Sequence, residues 1–306
     1  MRYAQAAKGY ESYGIESDSY EKSDDLGNHF GLVMDEVDYP NPNPQTPMTT
    51  GGQGRGPYVN SPDPIEREFD IPVTVIDENV PFELAFGARD EGDGVVTFTE
   101  EDVLPTATIE HVQEDLDLVE WFIGCKASLD ISASEGEPLE ASFSFTAADH
   151  DYAEDAGEAA DLDVPEQDPF RFNMIGEITL SDGVDSIATP NSVDLSWDNG
   201  NEVQHHGQGR DGYAVAETTA AEKYDMSMSM NVTDLDLYKR AAEDDEPVDI
   251  EIVFDRDYEW DSLSDAVVIK LNDCTFTDAP IPNADEGVVE ADVEFLPTST
   301  EIEIHY

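Results

Sequence analysis

The stretch Cys125-Lys126-Ala127-Ser128-Leu129-Asp130-Ile131-Ser132-Ala133-Ser134-Glu135-Gly136-Glu137-Pro138-Leu139-Glu140-Ala141-Ser142-Phe143-Ser144-Phe145-Thr146-Ala147 decides the fold class. Cys125, Ala127, Leu129, Ile131 and Ala133 fall on one side of an extended chain, and Lys126, Ser128, Asp130, Ser132 and Ser134 fall on the other. That is the two-residue period of a half-buried strand. Leu139, Ala141, Phe143, Phe145 and Ala147 alternate in the same way with Glu140, Ser142, Ser144 and Thr146. Between the runs, Glu135-Gly136-Glu137-Pro138 supplies turn residues, so the spacing predicts a β-hairpin with one apolar and one polar face.

Working outward, further strands are expected at Phe30–Met34, Val73–Ile76, Phe82–Ala88, Val95–Thr99, Ala107–Val112 and Leu116–Phe122. Later ones are expected at Phe170–Leu180, Val193–Trp197, Tyr224–Val232, Val248–Phe254, Ala266–Phe276, Val288–Phe295 and Ile302–Tyr306. The last reads as an edge or augmenting strand, and the row Met226, Met228, Met230 reads as a core face. One helix is well specified, from Asp234 to about Glu243, with Thr233 as N-cap, Asp236 three residues on and Pro247 as its stop. No βαβ alternation appears. The expected fold is mainly β, two packed antiparallel sheets or a barrel, with one flanking α-helix and long arms or loops.

Composition shifts divide the chain. Residues 1–38 form a polar, Tyr-rich N-terminal segment ending in a first strand. Residues 39–66, with Pro-Asn-Pro-Asn-Pro and Gly51-Gly52-Gln53-Gly54-Arg55-Gly56-Pro57-Tyr58, carry no apolar period and read as an extended arm that orders against a neighbouring subunit. Residues 67–306 read as a single β domain, with the acidic, Ala-rich stretch 149–169 as a solvated loop insertion.

Against 72 Asp and Glu stand 14 Lys and Arg, for a formal charge of -58. The acids decorate the polar faces of strands throughout rather than forming one tail, which points to a folded protein of an extreme halophile or its virus. At about 1 M salt the Debye length is roughly 3 Å and self-repulsion is screened. Such a surface lacks the clustered cations that grip nucleic-acid phosphates. No signal-peptide core is apparent at Met1-Arg2-Tyr3-Ala4, and no apolar run approaches the about 18 residues of a membrane helix. A soluble protein assembled in the cytoplasm, with no membrane partner, is expected. Cys125 and Cys274 read either as two buried free thiols or as a single disulfide.

Candidate chemistry is sparse. His205-His206 reads as a solvated pair in a loop from Asn199 to Gly212. Asp255-x-Asp257-x-Glu259-x-Asp261 has oxygen ligands at alternate positions, but Trp260 stands where a calcium loop turns on Gly and Ala266 where its bidentate Glu belongs. The glycines at 51–56 are followed by no Lys-Ser/Thr and open no helix, and there is no Gly-x-Ser-x-Gly elbow. No catalytic residue, cofactor or metal site is expected. A rigid β scaffold with long arms serves assembly.

Gly56-Pro57-Tyr58, Val80-Pro81-Phe82-Glu83-Leu84-Ala85-Phe86-Gly87, Thr108-Ile109-Glu110-His111 and Ile123-Gly124-Cys125-Lys126 begin an ordered series of landmarks. Ser134-Glu135-Gly136-Glu137-Pro138-Leu139 and Val232-Thr233-Asp234-Leu235-Asp236-Leu237-Tyr238 complete it. In that order the series resembles tail tube proteins of tailed bacteriophages and their archaeal counterparts, over about residues 56–306. The resemblance implies two orthogonally packed sheets with a flanking helix, and hexameric rings that stack into a tube conducting viral DNA. It also implies neither catalytic residues nor cofactor. The expected partners are further copies of the chain and other tail proteins (tape measure, tail terminator, baseplate), with DNA passing through without specific binding. Arg55, Pro57, Tyr58 and Tyr306 are the candidate subunit contacts. Ser128, Asp130, Ser132, Glu140, Ser142 and Ser144 are the candidate channel-facing residues. Two other readings are a haloarchaeal cell-surface β-sandwich adhesin, for which Asn231-Val232-Thr233 would be a sequon, and another virion component such as a capsid decoration protein.

Overall fold

Leu118–Ser134 is one strand of 17 residues, which merges the expected Leu116–Phe122 strand with the first half of the hairpin. In the computed structural model, which describes residues 9–34, 37–40, 45–48, 59–62, 67–134, 136–162, 164–172, 188–206, 213–218, 223–232, 247–256, 265–278 and 290–306, this strand belongs to two sheets. Its first part pairs with Ala107–Gln113 and Asp149–Ala153. Its second part pairs with Glu140–Thr146 and Ala188–Asp198. The crossing is at Gly124, where φ is +67° and the register slips between Phe122 and Cys125. A Cβ there would stand 2.5 Å from the Tyr20 ring, so glycine is required for both backbone and space.

Ala266–Asp278 repeats the device. It pairs along Ala266–Asn272 with Ser299–His305, and from Thr275 onward with Glu290–Leu296. Asp273 takes φ 49° at the change, and its N–H donates to the Asp249 carboxylate at 2.9 Å. At each bend a cysteine follows the positive-φ residue and its thiol donates to the carbonyl three residues back: Cys125 to Phe122 at 3.2 Å, Cys274 to Leu271 at 3.4 Å. Both thiols are free and buried, which decides between the two sequence readings.

The described strands link into one closed hydrogen-bonded system, apart from two separate two-stranded ribbons, Gln45–Met48 with Val59–Pro62 and Asn201–His206 with Tyr213–Thr218. One sheet runs Leu32–Val33, Glu68–Thr74, Glu140–Thr146, Leu118–Ser134, Ala188–Asp198, Lys223–Val232, Glu290–Leu296. A second runs Gly87–Gly92, Val95–Glu100, Ser299–His305, Ala266–Asp278, Val248–Asp255, Arg171–Phe172. Their inner faces share a core in which Phe143, Phe82 and Phe98 pack in sequence, Phe86 meets Trp197 at 5.3 Å, and Met226 and Met228 are buried. Each such side chain contributes roughly 1.5–3 kcal/mol on burial. The fold is thus mainly antiparallel β, as expected.

Several elements differ from the sequence reading. The first described strand is Gly9–Ile15, and only Leu32–Val33 of Phe30–Met34 is strand. Phe82–Ala88 is not one strand: Glu83–Phe86 is a short helix with all four residues buried, and strand begins only at Gly87. Burial on every side removes the polar positions that distinguish helix from strand. Ser299–His305 is no edge, because it lies between Val95–Glu100 and Ala266–Asp278. Asn201–His206 pairs with Tyr213–Thr218 as a separate ribbon where a loop was expected. The helix expected at 234–243, and Phe170–Leu180 beyond Phe172, lie outside the described residues.

The stretch 149–169 also departs from a solvated loop. Asp149–Ala153 is a strand, and Ala153, Ala156, Ala159 and Ala160 pack on a second small core of Leu26, Val112, Val119, Trp121 and Ile123. Glu110, fully buried, holds this cover by accepting hydrogen bonds from Ala160 N–H (3.0 Å), Trp121 Nε1 (2.8 Å) and Ser12 Oγ (3.1 Å). Buried Glu16 likewise accepts from the N–H groups of Gly124 and Tyr20 and the hydroxyls of Thr106 and Thr108, at 2.7–2.9 Å. Both carboxylates are satisfied by neutral donors, which removes much of the cost of burying them.

Candidate functional site

The outer face of the first sheet is built by the alternation seen in the hairpin, continued through its neighbours. Leu129, Ile131, Phe143, Val193, Leu195 and Met228 point inward, which turns the intervening residues outward. Asp130 and Ser132 are exposed, and Ser128, Glu140, Ser142 and Ser144 are half-buried. The sheet therefore gathers all six sequence candidates on one face.

Register orders the charges on this face. Asp130 has Ser142 opposite it on one side and Ser196 on the other, and Ser196 in turn faces Asp225. In the next row Glu140, Ser132, Asp194, Ser227 and Glu294 follow one another across five strands. Asp70 faces Ser144, and Asp292 faces Ser229. In these two rows carboxylate alternates with serine, so like charges never stand directly opposite, where they would destabilise the sheet. Strands lie about 4.8 Å apart, which sets carboxylates within a row roughly 10 Å apart.

Cations are spent elsewhere. Lys22 Nζ sits 2.9 Å from the centre of the Trp121 ring. Arg67 donates to Ala148 O at 2.7 Å, and Arg171 to Gly136 O at 3.1 Å. Arg256 covers the Phe170 ring at 4.0 Å and binds Asp168, Gln167, Asp265 and the Ile76 carbonyl. On the second sheet Lys270 bridges Glu301 (3.2 Å) and Glu303 (2.6 Å). Burial pulls its pKa down, but the hydrogen bonds to those carboxylates outweigh it and hold the ammonium above its ordinary value. Among the described residues, the basic positions in the register of this face are Lys126 and Lys223, both toward one end, Lys223 pairing with Asp198.

At that end lies a groove of about 770 Å³ whose acidic lining is Asp38, Glu68, Asp70, Asp198 and Glu202. At one lateral edge of the face Leu32 and Met34 are 45% and 40% exposed, and on the opposite side Leu296 is 46% exposed, on a strand that pairs onward with Thr275–Asp278. Among the described residues no cluster of His, Cys, Asp and Glu is arranged to hold a metal, and no helix is long and apolar enough to cross a membrane.

The remaining candidates fall as follows. Tyr306 is half exposed; its N–H donates to Gly94 O and its hydroxyl to Glu91 Oε1, both at 3.0 Å. Its edge-strand rationale does not hold, because the strand before it is interior to the sheet. Arg55, Pro57, Tyr58, Gly51–Gly56 and Asp257–Asp261 lie outside the described residues. His205 and His206 end a strand. Sequence reading missed Asp70, Asp194, Asp225, Asp292 and Glu294 as members of the face. Each lies in an alternating run, but only sheet order shows that these runs are neighbours.

Compared with known proteins, residues 36–296 match the model of a family described as phage tail tube protein. No curated protein matches the chain.

Proposed function

The chain belongs to the phage tail tube protein family, and on that premise we propose that six copies close into a ring whose inner wall is the carboxylate and serine face. Rings stack into the tail tube through which the genome is ejected. The protein is a structural component of a virion tail. The observation that carries the finer reading is the broad face on which carboxylates alternate with serines, cation-poor among the described residues away from one end. Fixed negative charge repels DNA phosphates, so DNA moves along such a wall without adhering. Serines between the carboxylates keep the wall wet and the sheet unstrained.

Exposed apolar side chains on opposite sides of the face support closure. A six-fold ring uses a heterologous interface, and Leu32 with Met34 on one side and Leu296 on the other offer two different surfaces for it. Arg55, Pro57 and Tyr58 in an arm of residues 39–66, and the half-exposed Tyr306, are further contact candidates. Residues 67–306 constitute the tube domain. Assembly takes place in the cytoplasm of a haloarchaeal host, with tape measure, tail terminator and baseplate proteins as partners. The family match favours this reading over an adhesin or a decoration protein.

Six copies at -58 carry roughly -350 charges, which a closed ring tolerates only where salt screens them. Light scattering of purified protein should therefore show assembly in molar KCl and dissociation in dilute buffer. Assembly indifferent to salt contradicts the electrostatic part of the proposal.

A further inference from the structure

Asp149–Ala153 is bound on one side only: it pairs with Val119–Ile123 of the long strand, and no other described strand lies along it. It is open to water, with Tyr152 59% exposed and the Asp149 side chain 72% exposed. Alternate residues of such a strand turn their N–H and C=O groups away from the neighbour. An edge of this kind is a template to which a strand of another chain can add. The nearest such strand is a second copy's.

Its outward amides are already occupied. His150 N–H donates to Asp149 Oδ1 at 2.8 Å, and Tyr152 N–H donates to Asp151 Oδ1 at 2.9 Å. In both cases the carboxylate belongs to the residue just before the amide, so the contact repeats with the two-residue period of the strand. Asp149 is held from a second side: Arg67 Nη2 lies 3.7 Å from the same oxygen, while Arg67 Nη1 donates to Ala148 O at 2.7 Å. A strand arriving here would bring its carbonyl oxygens to the places the two carboxylate oxygens hold. It would have to displace a charge-assisted hydrogen bond at each amide and then lie beside the displaced charges. Two copies meeting edge to edge would each bring both carboxylates into one seam, and like charges set opposite one another destabilise a sheet. Molar salt screens the repulsion that a charge of -58 exerts at a distance. A hydrogen bond in direct contact still guards the edge in that medium, where net charge no longer keeps copies apart.

We propose that Asp149 and Asp151 decide which surfaces of this protein can meet: their side chains occupy the outward amides of Asp149–Ala153 and keep a second copy's strand from adding there. Copies are thereby left to associate through other surfaces. That those surfaces are the contacts of a ring rests on the tube reading. The guarding of the edge does not.

The test is hydrogen exchange at the His150 and Tyr152 amides of the full chain in molar KCl, read residue by residue at protein concentrations about a hundred-fold apart. Rates are expressed relative to the unfolded chain of the same sequence. The native chain should exchange alike at both concentrations. With Asp149→Ala and Asp151→Ala combined, these amides should exchange roughly two- to ten-fold faster when dilute. On concentration they should slow again, as copies pair through the opened edge. Asp149→Asn with Asp151→Asn retains an acceptor before each amide and should stay close to native. Glu154→Ala with Glu158→Ala removes the same charge from exposed positions just beyond the strand and should leave both amides as they are. Concentration-dependent protection in the native chain would overturn the proposal, because the edge would then itself be a contact. So would unchanged exchange in the double alanine variant, faster exchange that ignores concentration, or an asparagine variant that opens as the alanine one does. If the double alanine variant does not fold, Asp151→Ala, which leaves the Arg67 contact in place, decides the question at Tyr152. Absence of rings under these conditions would count against the tube reading and leave this result standing.

Discussion

At Cys125 and Cys274 a thiol performs the same task twice: it caps a carbonyl left over where a long strand bends from one sheet into another. Serine at either position keeps a donor of similar size and should change stability by about 1 kcal/mol or less, whereas valine removes the donor and should cost about 1–3 kcal/mol in denaturant unfolding. Burial pushes the Cys274 thiol up to about 12, so neither cysteine should react with a thiol reagent until the chain unfolds. Among the described residues, Glu83 makes stability depend on pH near neutrality. It is 4% exposed, its Oε2 has no hydrogen-bond partner, and Arg89 comes only to 3.9 Å. Burial, opposed by its own backbone N–H and by Arg89, raises its carboxyl from 4.5 to about 7. A folded value above the unfolded one means that the native state holds the extra proton, so stability falls as pH rises from about 4.5 to 7, by about 3 kcal/mol in all. Glu83→Gln should flatten unfolding free energy across that window; an unchanged slope would place the titration elsewhere. Neither role is legible in the sequence, where Glu83 lies in an alternating run and each cysteine looks like an ordinary inward residue.

At the scale of elements, period-two strands such as Val248–Asp255 and the two of the hairpin were legible because one face meets water and the other meets the core. The pattern is lost where both faces are covered. Glu83–Phe86 is one instance, and Gly9–Ile15, where Ser12 and Tyr13 are both buried, is another. It misleads in the opposite sense at Asp149–Ala153, whose acidic residues conceal a strand and the cover that follows it. Ala160→Pro deletes the N–H that Glu110 accepts and should loosen that cover, shifting Trp121 fluorescence to the red and lowering the unfolding midpoint; an unaltered spectrum would mean that the Ala contacts alone hold it. The six face residues were legible one by one, whereas the rows joining them to Asp194, Asp225 and Glu294 required the sheet order. Lysines in place of Ser128, Asp130 and Ser142 should leave folding intact and create salt-sensitive binding of double-stranded DNA where the native chain shows none. Failure to fold would mean that this face is buried rather than open.

For the whole molecule, a charge of -58 and a scarcity of cations become a division of labour. Lys22, Arg67, Arg171 and Arg256 bind carbonyls, rings and loop ends within the subunit. The carboxylates and serines of the first sheet are left to face water. A surface of that kind is stable only under screening, and it lines a passage for DNA only if the ring closes with this sheet inward. The most direct measurement is electron cryomicroscopy of the protein assembled in molar KCl. The account predicts stacked six-fold rings around an open channel, with Asp130, Ser142 and Asp194 on the channel wall and Leu32, Met34 and Leu296 at the subunit boundary. Rings that present this face to the outside, or a protein that stays monomeric under those conditions, would contradict it.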